Sequence, residues 1–423
     1  MEYIKKDLGS FNLHMIKTEK FKTITLRIVF HTPIKKEEIT KRVVLGDLLL
    51  QSSKKYPNKR DLIIKAEDLY ACEASSSNGR LGNYILTSFN LQVLQDKYTE
   101  EGNLEKSFEF FKEILFNPDV RNKKFKKDKL DIVKTNTKVG LESIKENTTG
   151  YSLIKMLEAY DNTSPISYRM MGYLEDLESI NEENIYDTYD HMINNDYIDI
   201  FVVGNFQSKE MLNLIKKYFK FKSLKKRKVG YYLKEKTPRK KRLFVNEKIE
   251  ANQSKLSIAC PINNLTTYER NYPLILMNLI FGGGVESKLF REVREENSLC
   301  YTIRSFSNKL DSILIITAGI DKNNYEKTVD LISKDLLDMK KGKFTDKDIE
   351  TAKEIYYNSI EELEEDEYRI ITEFLLQEIL KLDPIVERMK KISKVTKKEI
   401  IKVAKKVTMD TVFLLEGVDY EED

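Results

Sequence analysis

Residues 282–301, GGGVESKLFREVREENSLCY, place an arginine and a tyrosine seven positions apart, behind three consecutive glycines. Arg294 carries a planar fork of N–H donors that suits a peptide carbonyl or a carboxylate, and the phenol of Tyr301 can hydrogen-bond a developing oxyanion. Val285, Leu289, Phe290 and Val293 mark one apolar helical face, with Arg294 near its end and Tyr301 opening the strand-like TIRSFS. From those positions both side chains can point toward one space. A surface ion pair beside a half-buried tyrosine fits the same spacing, so the residues alone leave both readings open. Gly282, Gly283 and Gly284 follow NYPLILMNLIF, a helix candidate and not a strand, and they lack both GK[ST] and a third spaced glycine. They read as a close helix–helix approach with a flexible joint and not as a phosphate cradle.

Such a pair needs a fold to position it, and the chain describes one twice. Residues 26–53, LRIVFHTPIKKEEITKRVVLGDLLLQSS, read as a β-branched strand, a proline-bearing turn and a helix with apolar Val43, Val44, Leu48 and Leu49; residues 256–284 repeat that order. Residues 61–97 and 288–322 match element by element, each as a helix followed by two strands and the start of another helix. Later, EENIYDTYDHMINN leads into YIDIFVVGNF as TKKEIIKVAKKVTM leads into DTVFLLEGV. The expected class is α+β: two homologous α/β-sandwich domains, each a mainly antiparallel sheet covered by helices. The boundaries are 1–220 and 245–423, joined by the lysine-rich 221–244, which reads as a solvated linker with an anionic-surface patch as its alternative. The acidic EELEEDEYR, residues 361–369, reads as the exposed face of a helix.

A chain of 423 residues exceeds what one core usually organises, which favours two domains of roughly 200 residues. Its 72 basic and 68 acidic side chains leave +4, too balanced to argue for nucleic acid. The N-terminus lacks an apolar h-region, and no stretch approaches the roughly 18 apolar residues of a membrane span, so a cytoplasmic protein without membrane contact is expected. Cys72, Cys260 and Cys300 are scattered and odd in number, which fits reduced thiols.

The 282–301 segment resembles the C-terminal-half signature of the insulinase-type (M16) zinc metallopeptidases and the mitochondrial processing peptidase subunits, and the likeness extends diffusely over the duplicated chain. The resemblance implies the LuxS/MPP-like metallohydrolase fold. It also implies that Arg294 and Tyr301 are a substrate-binding pair. Cys300 stands where the family has a small alanine, and Lys288 where it has an arginine.

The same family holds zinc with an inverted HxxEH helix and a downstream glutamate. Set on ITKRVVLGDLLLQSS, that motif falls on Val43, Gly46 and Asp47, with the downstream acid near Asp128. Valine cannot ligate and glycine cannot act as a base, so no metal and no cofactor are expected in this chain, a weak Mg²⁺ at Asp47 and Asp128 aside. His14, His31 and His191 have no ligand spacing and read as ordinary core or surface histidines. The resemblance then implies the non-catalytic, substrate-binding subunit of a heterodimeric peptidase. A homologous partner would supply HxxEH and zinc across a closed chamber, with a peptide as substrate and a homodimer as the competing assembly. Zinc-less bacterial members encoded beside an intact paralogue, including those linked to elongation factor P modification, have the same pattern. A scaffold without proteolysis is the alternative.

Overall fold

The computed structural model describes residues 1–222 and 230–418; residues 223–229 of the basic segment lie outside the described residues. Along the first stretch run β1 (Glu2–Asp7), β2 (Asn12–Lys17), β3 (Thr23–Pro33), α1 (Lys36–Leu49), α2 (Lys59–Asp68), β4 (Glu73–Leu81) and β5 (Tyr84–Leu94). Then come α3 (Asn103–Phe116), the two-residue strands β6 (Val120–Arg121) and β7 (Lys124–Phe125), α4 (Lys127–Glu142), α5 (Thr148–Asp161), α6 (Glu182–Asn195), β8 (Tyr197–Gly204) and α7 (Ser208–Tyr218). The second stretch holds β9 (Leu243–Glu250), β10 (Ser254–Pro261), α8 (Thr267–Asn271), α9 (Pro273–Phe281), β11 (Cys300–Asn308) and β12 (Ile313–Ile320). It ends with α10 (Tyr325–Lys341), α11 (Asp346–Leu363), α12 (Glu367–Leu380), α13 (Ile385–Ser393), α14 (Lys397–Ala404) and β13 (Thr411–Val418). No helix among the described residues is long and apolar enough to cross a membrane.

Two compact units emerge, and they are not contiguous halves. The first comprises residues 1–142, 169–231 and 364–375; the second comprises 143–168, 232–363 and the chain from 376 onward. The sheet of the first runs β1-β2-β8-β3-β5-β4, and that of the second runs β11-β12-β10-β13-β9. Set β1 aside and the two are the same sheet: β4-β5-β3-β8 and β11-β12-β10-β13 are antiparallel throughout, and each ends in one parallel pair, β8 with β2 and β13 with β9. The duplication read from the sequence is therefore present strand for strand. The strands β1, β2 and β9 were not read there, because each is short and its apolar residues are interrupted by polar or charged ones.

Each sheet buries one face under helices of its own unit. In the first, Leu13, Leu26, Ile28, Phe30, Phe89 and Ile200 meet Val44, Leu48, Phe108 and Phe111. In the second, Leu256, Ile258, Leu314 and Ile316 meet Leu274, Met277, Ile332 and Val403. Each such side chain, fully buried, contributes about 1.5–3 kcal/mol.

The opposite faces differ. On the second sheet α5 covers Ala259, Ile313, Ile315 and Phe413, and Ser152 Oγ meets Ser257 Oγ at 2.8 Å. On the first sheet the same face is polar. Asp199 on β8, fully buried, accepts from Asn12 Nδ2 at 2.8 Å and from His14 Nε2 at 3.2 Å, and His31 Nε2 lies 3.1 Å from its other oxygen. Tyr3 Oη answers His14 Nδ1 at 2.7 Å, and Tyr231 Oη answers His31 Nδ1 at 2.9 Å. Burial alone would raise the carboxyl pKa, but the two imidazoles outweigh it and hold Asp199 far below the usual carboxylate range. His14 and His31 are thus core histidines bound to one carboxylate, a pairing that no sequence spacing announces.

Glu367 also belongs to this face. Its Oε2 accepts from Thr23 at 2.8 Å, Thr25 at 2.9 Å and Gln92 at 2.7 Å. The acidic run 361–369 is therefore not the exposed face of one helix: α11 ends at Leu363, α12 begins at Glu367, and Glu367 is buried. The three donors make that burial tolerable.

The described part of the basic segment is tied into the fold. Tyr231 stacks on Tyr84 at 4.3 Å in the first unit. In the second, Leu233 N donates to Leu310 O at 2.9 Å, and Arg239 N donates to Asp410 Oδ2 at 2.7 Å.

Candidate functional site

The helix that would carry a zinc motif is α1, packed against the edge strand β4. Gly46 sits at that contact: a Cβ there would lie 3.0 Å from Ser76 Oγ and 3.2 Å from Ser76 Cβ, so a larger residue needs Ser76 to shift by a few tenths of an ångström. Val43 is half-buried and Asp47 is exposed. Ser76 Oγ lies 3.3 Å from Asp47 Oδ1, and partial desolvation raises the Asp47 carboxyl against the opposing pull of Ser76 and Lys59. Asp128, in the first turn of α4, is exposed and has Lys129 Nζ at 3.7 Å. Among the described residues no group of three or more His, Cys, Asp or Glu could hold a metal ion. A methyl-bearing side chain, a glycine wedged on a serine and one carboxylate do not make the donor set that zinc takes.

In the second unit the equivalent helix is α9, and it also closes on an edge strand through a glycine. A Cβ on Gly282 would lie 2.7 Å from Ser305 Oγ and 2.8 Å from Leu289 Cδ1, while Gly282 O accepts from Ser305 N at 2.7 Å. The close approach is therefore helix end to strand β11, where the sequence suggested helix to helix. At Gly283 a Cβ would meet Asn278 Nδ2 at 2.9 Å, and at Gly284 the nearest atom is Ile355 Cδ1 at 3.4 Å. None of the three glycines has a positive φ, so space and not handedness demands Gly282 and Gly283.

Residues Phe290–Glu296 form a π-helical turn, the wider winding that often marks functional sites. Leu289 and Val293 are buried under it, but Val285, read as part of the same apolar face, is 67% exposed because the glycine turn precedes the helix. Lys288 pairs with Glu292, and Arg291 Nη1 donates to Asp348 Oδ1 at 2.7 Å, which fastens the turn to its unit. Arg294 is exposed, its guanidinium 4.5 Å from the Phe290 ring centroid. Ser298 then takes φ +52°, a left-handed conformation costly for a residue with a Cβ. Its N–H returns to Arg294 O at 3.1 Å, and Leu299 N returns to Val293 O at 3.0 Å.

Tyr301 follows in β11, where the register with β12 slips: Cys300 faces Ile320, Thr302 faces Gly319, and Tyr301 is the extra residue of the bulge. It is 69% exposed. β11, which carries Tyr301, lies at the edge of its sheet, the position where a further strand can be added. Arg294 and Tyr301 thus stand on either side of one strained turn, and both are exposed. What the sequence did not show is the π-helical winding and the bulge that re-aim them.

Beside them lies a charged cluster. Asp335 on α10 is fully buried with Lys288 Nζ at 3.9 Å; desolvation and then Glu292 push its carboxyl up to about 8. Burial opposes ionisation of Glu292 too, but Asp335, Lys288 and Lys334 outweigh it and bring that carboxyl down to about 2. Cys300 is buried near Arg294, and desolvation raises its thiol to about 11, which keeps it unreactive.

Residues 179–356 match the Peptidase M16 inactive domain. Over 425 aligned residues and 98% of each chain, the protein is 29% identical to the probable inactive metalloprotease YmfF of Bacillus subtilis. Over 231 residues, 50% of this chain and 54% of the relative, it is 28% identical to the uncharacterized zinc protease YmxG of the same organism. A solved structure of a conserved protein from Enterococcus faecalis V583 is 28% identical, with a TM-score of 0.90 over 99% of this chain and 100% of that one. The fold, the 282–301 segment and these likenesses agree: residues 179–356 match the Peptidase M16 inactive domain, and over nearly its whole length the chain is similar to a probable inactive metalloprotease.

Proposed function

We propose that this chain is the non-catalytic, substrate-binding subunit of a heterodimeric M16-type peptidase whose homologous partner carries HxxEH and zinc. The observation that carries this reading is the pairing of an α1 with Val43, Gly46 and Asp47 at the motif positions with an exposed Arg294 and Tyr301 at an edge strand. An extended peptide would add to such an edge through main-chain hydrogen bonds. Arg294 would then fix a substrate carbonyl or carboxylate, and the Tyr301 phenol would donate to the oxyanion as it forms. The partner supplies the activated water. Bacillus subtilis offers a parallel, with one relative named a probable inactive metalloprotease and another named a zinc protease.

The deciding experiment is reconstitution with a homologous HxxEH chain. The pair should cleave peptides, the present chain alone should not, and Arg294→Ala and Tyr301→Phe should each cut cleavage without preventing assembly. Cleavage of short peptides that is indifferent to both substitutions would favour the second reading, a scaffold or binding protein without a part in proteolysis. That reading draws on the same residues, Val43 and Asp47 at the expected histidine positions and Gly46 at that of the base.

A further inference from the structure

The second sheet carries a cavity of about 230 Å³ on the face that α5 covers, lined in part by Thr302 and Arg304 of β11. Two rows of the ladder form its floor. Thr302, Gly319 and Lys255 lie in one register row, and Arg304, Thr317 and Ser257 lie in the next. Gly319 contributes no side chain, which opens the floor. Thr149, the second residue of α5, closes the rim, and the Ser152–Ser257 contact holds that helix end in place.

The lining is cationic and rich in hydroxyls. Lys255 and Arg304 bring two positive charges, Thr149, Ser257, Thr302 and Thr317 bring hydroxyls, and no carboxylate lines the cavity. The start of a 14-residue helix adds its own positive end. Among the described residues Lys255 Nζ donates to the Gln253 amide oxygen and to no acid, and burial lowers its pKa without an anion to restore it. The cavity therefore presents positive charge that the described residues leave uncompensated.

We propose that this cavity binds the C-terminal carboxylate of an extended peptide, held between Lys255 and Arg304 with the hydroxyls of Thr302 and Thr317 completing the hydrogen bonds to its oxygens. The proposal rests on the peptide-holding reading above and adds to it which part of the peptide is recognised. Thr302 and Arg304 lie one and three residues past Tyr301 on the same strand, about 3–10 Å along it. No more than about three residues of an extended peptide therefore separate the carbonyl at Tyr301 from its terminus.

The test passes an equimolar mixture of two randomised octapeptide pools, one ending in a free carboxylate and the other in an amide, over the immobilised full chain. The bound fraction is quantified by mass spectrometry. The free-acid pool should be enriched about tenfold, the size of a charge-assisted hydrogen-bond contribution. Lys255→Met and Arg304→Gln should each abolish most of that enrichment while leaving amide binding and the melting temperature unchanged. Arg294→Ala should weaken both pools alike. Equal capture of both pools by the unmodified chain would overturn the carboxylate site while leaving peptide binding intact, and so would enrichment that survives the Lys255→Met/Arg304→Gln double variant. Capture of neither pool would overturn both readings together.

Discussion

The two sheets share one topology and use their polar residues in opposite ways. In the first unit the groups able to do acid–base chemistry are inside: Asp199 is held by His14, His31 and Asn12, and Glu367 by Thr23, Thr25 and Gln92. In the second unit Arg294 and Tyr301 stand in solvent on a strained turn and a bulge. A buried, satisfied polar group stabilises the unit that contains it and is closed to substrate; an exposed one adds little stability and is free to bind. The duplication thus buries these polar groups in one copy and exposes them in the other, where the proposed function gives them to recognition.

The largest test of this contrast is Asp199→Ala, which leaves two buried histidines without their carboxylate. It should cost about 3–5 kcal/mol in urea unfolding, as breaking a buried charged network does. The folded pKa of Asp199 is depressed, so its contribution is complete above the unfolded value of about 4 and is lost as pH falls below it. Asp199→Asn should accordingly flatten the acid limb of the stability profile; an unchanged limb would show that the network is not an ionic one. Next come Arg294→Ala and Tyr301→Phe. Each should lower kcat/KM of the reconstituted pair by about 10²-fold, the usual effect of removing one oxyanion donor. Unfolding should shift by less than about 0.5 kcal/mol, as for exposed sites. A large loss of stability in either variant would erase the distinction between the units.

The two helix–strand joints allow a finer comparison. Gly282→Ala places a methyl 2.7–2.8 Å from Ser305 and Leu289 and should destabilise by about 1–3 kcal/mol through overpacking. Gly46→Ala meets only the short Ser76 side chain, at 3.0 Å, and gains roughly 1 kcal/mol of helix propensity, so it should be nearly neutral. Equal thermal shifts for the two variants would mean that the joints are equivalent. A comparison that shows only as a change with pH is that of Asp335→Asn, whose amide carries hydrogens to donate toward Glu292. With the folded pKa raised to about 8, native Asp335 keeps its proton between roughly pH 4 and 8 while the unfolded chain releases it, so native stability falls across that window. The variant should gain on the native chain over the same window, the gap widening steadily from pH 5 toward pH 8, and level off above it. A gain that did not depend on pH would remove Asp335 as the cause.

Much of the architecture was legible because it rests on local patterns that occur twice. The strand–helix order of residues 26–53 and 256–284 and the β-branched strands β3, β5, β8, β10, β12 and β13 announce themselves by apolar periodicity. Arg294 and Tyr301 were legible through a motif, and the loss of the zinc set through residue chemistry at Val43 and Gly46. Val285 was misread because a helical period was carried one turn too far, across glycines that delay the helix. Glu367 was misread because a charge run looks solvated until its partners, more than 270 positions away in sequence, are known. The cavity over Gly319 had no signature, since Lys255, Thr302 and Gly319 belong to three strands whose register exists only in the folded sheet.

From its order of residues alone the chain determined that it is a repeated α+β unit, that its first copy lacks the ligands for zinc, and that its second keeps a forked cation and a phenol seven positions apart. These follow from side-chain chemistry and short-range periodicity, which need no partner to be expressed. Tertiary structure alone decided that His14 and His31 meet on Asp199, that segments 143–168 and 364–375 each join the unit built mostly from the other half of the chain, and that a slipped ladder turns Tyr301 outward. The reason is that burial and register are properties of pairs of segments far apart in the chain, and no local sequence encodes which distant strand will lie beside it.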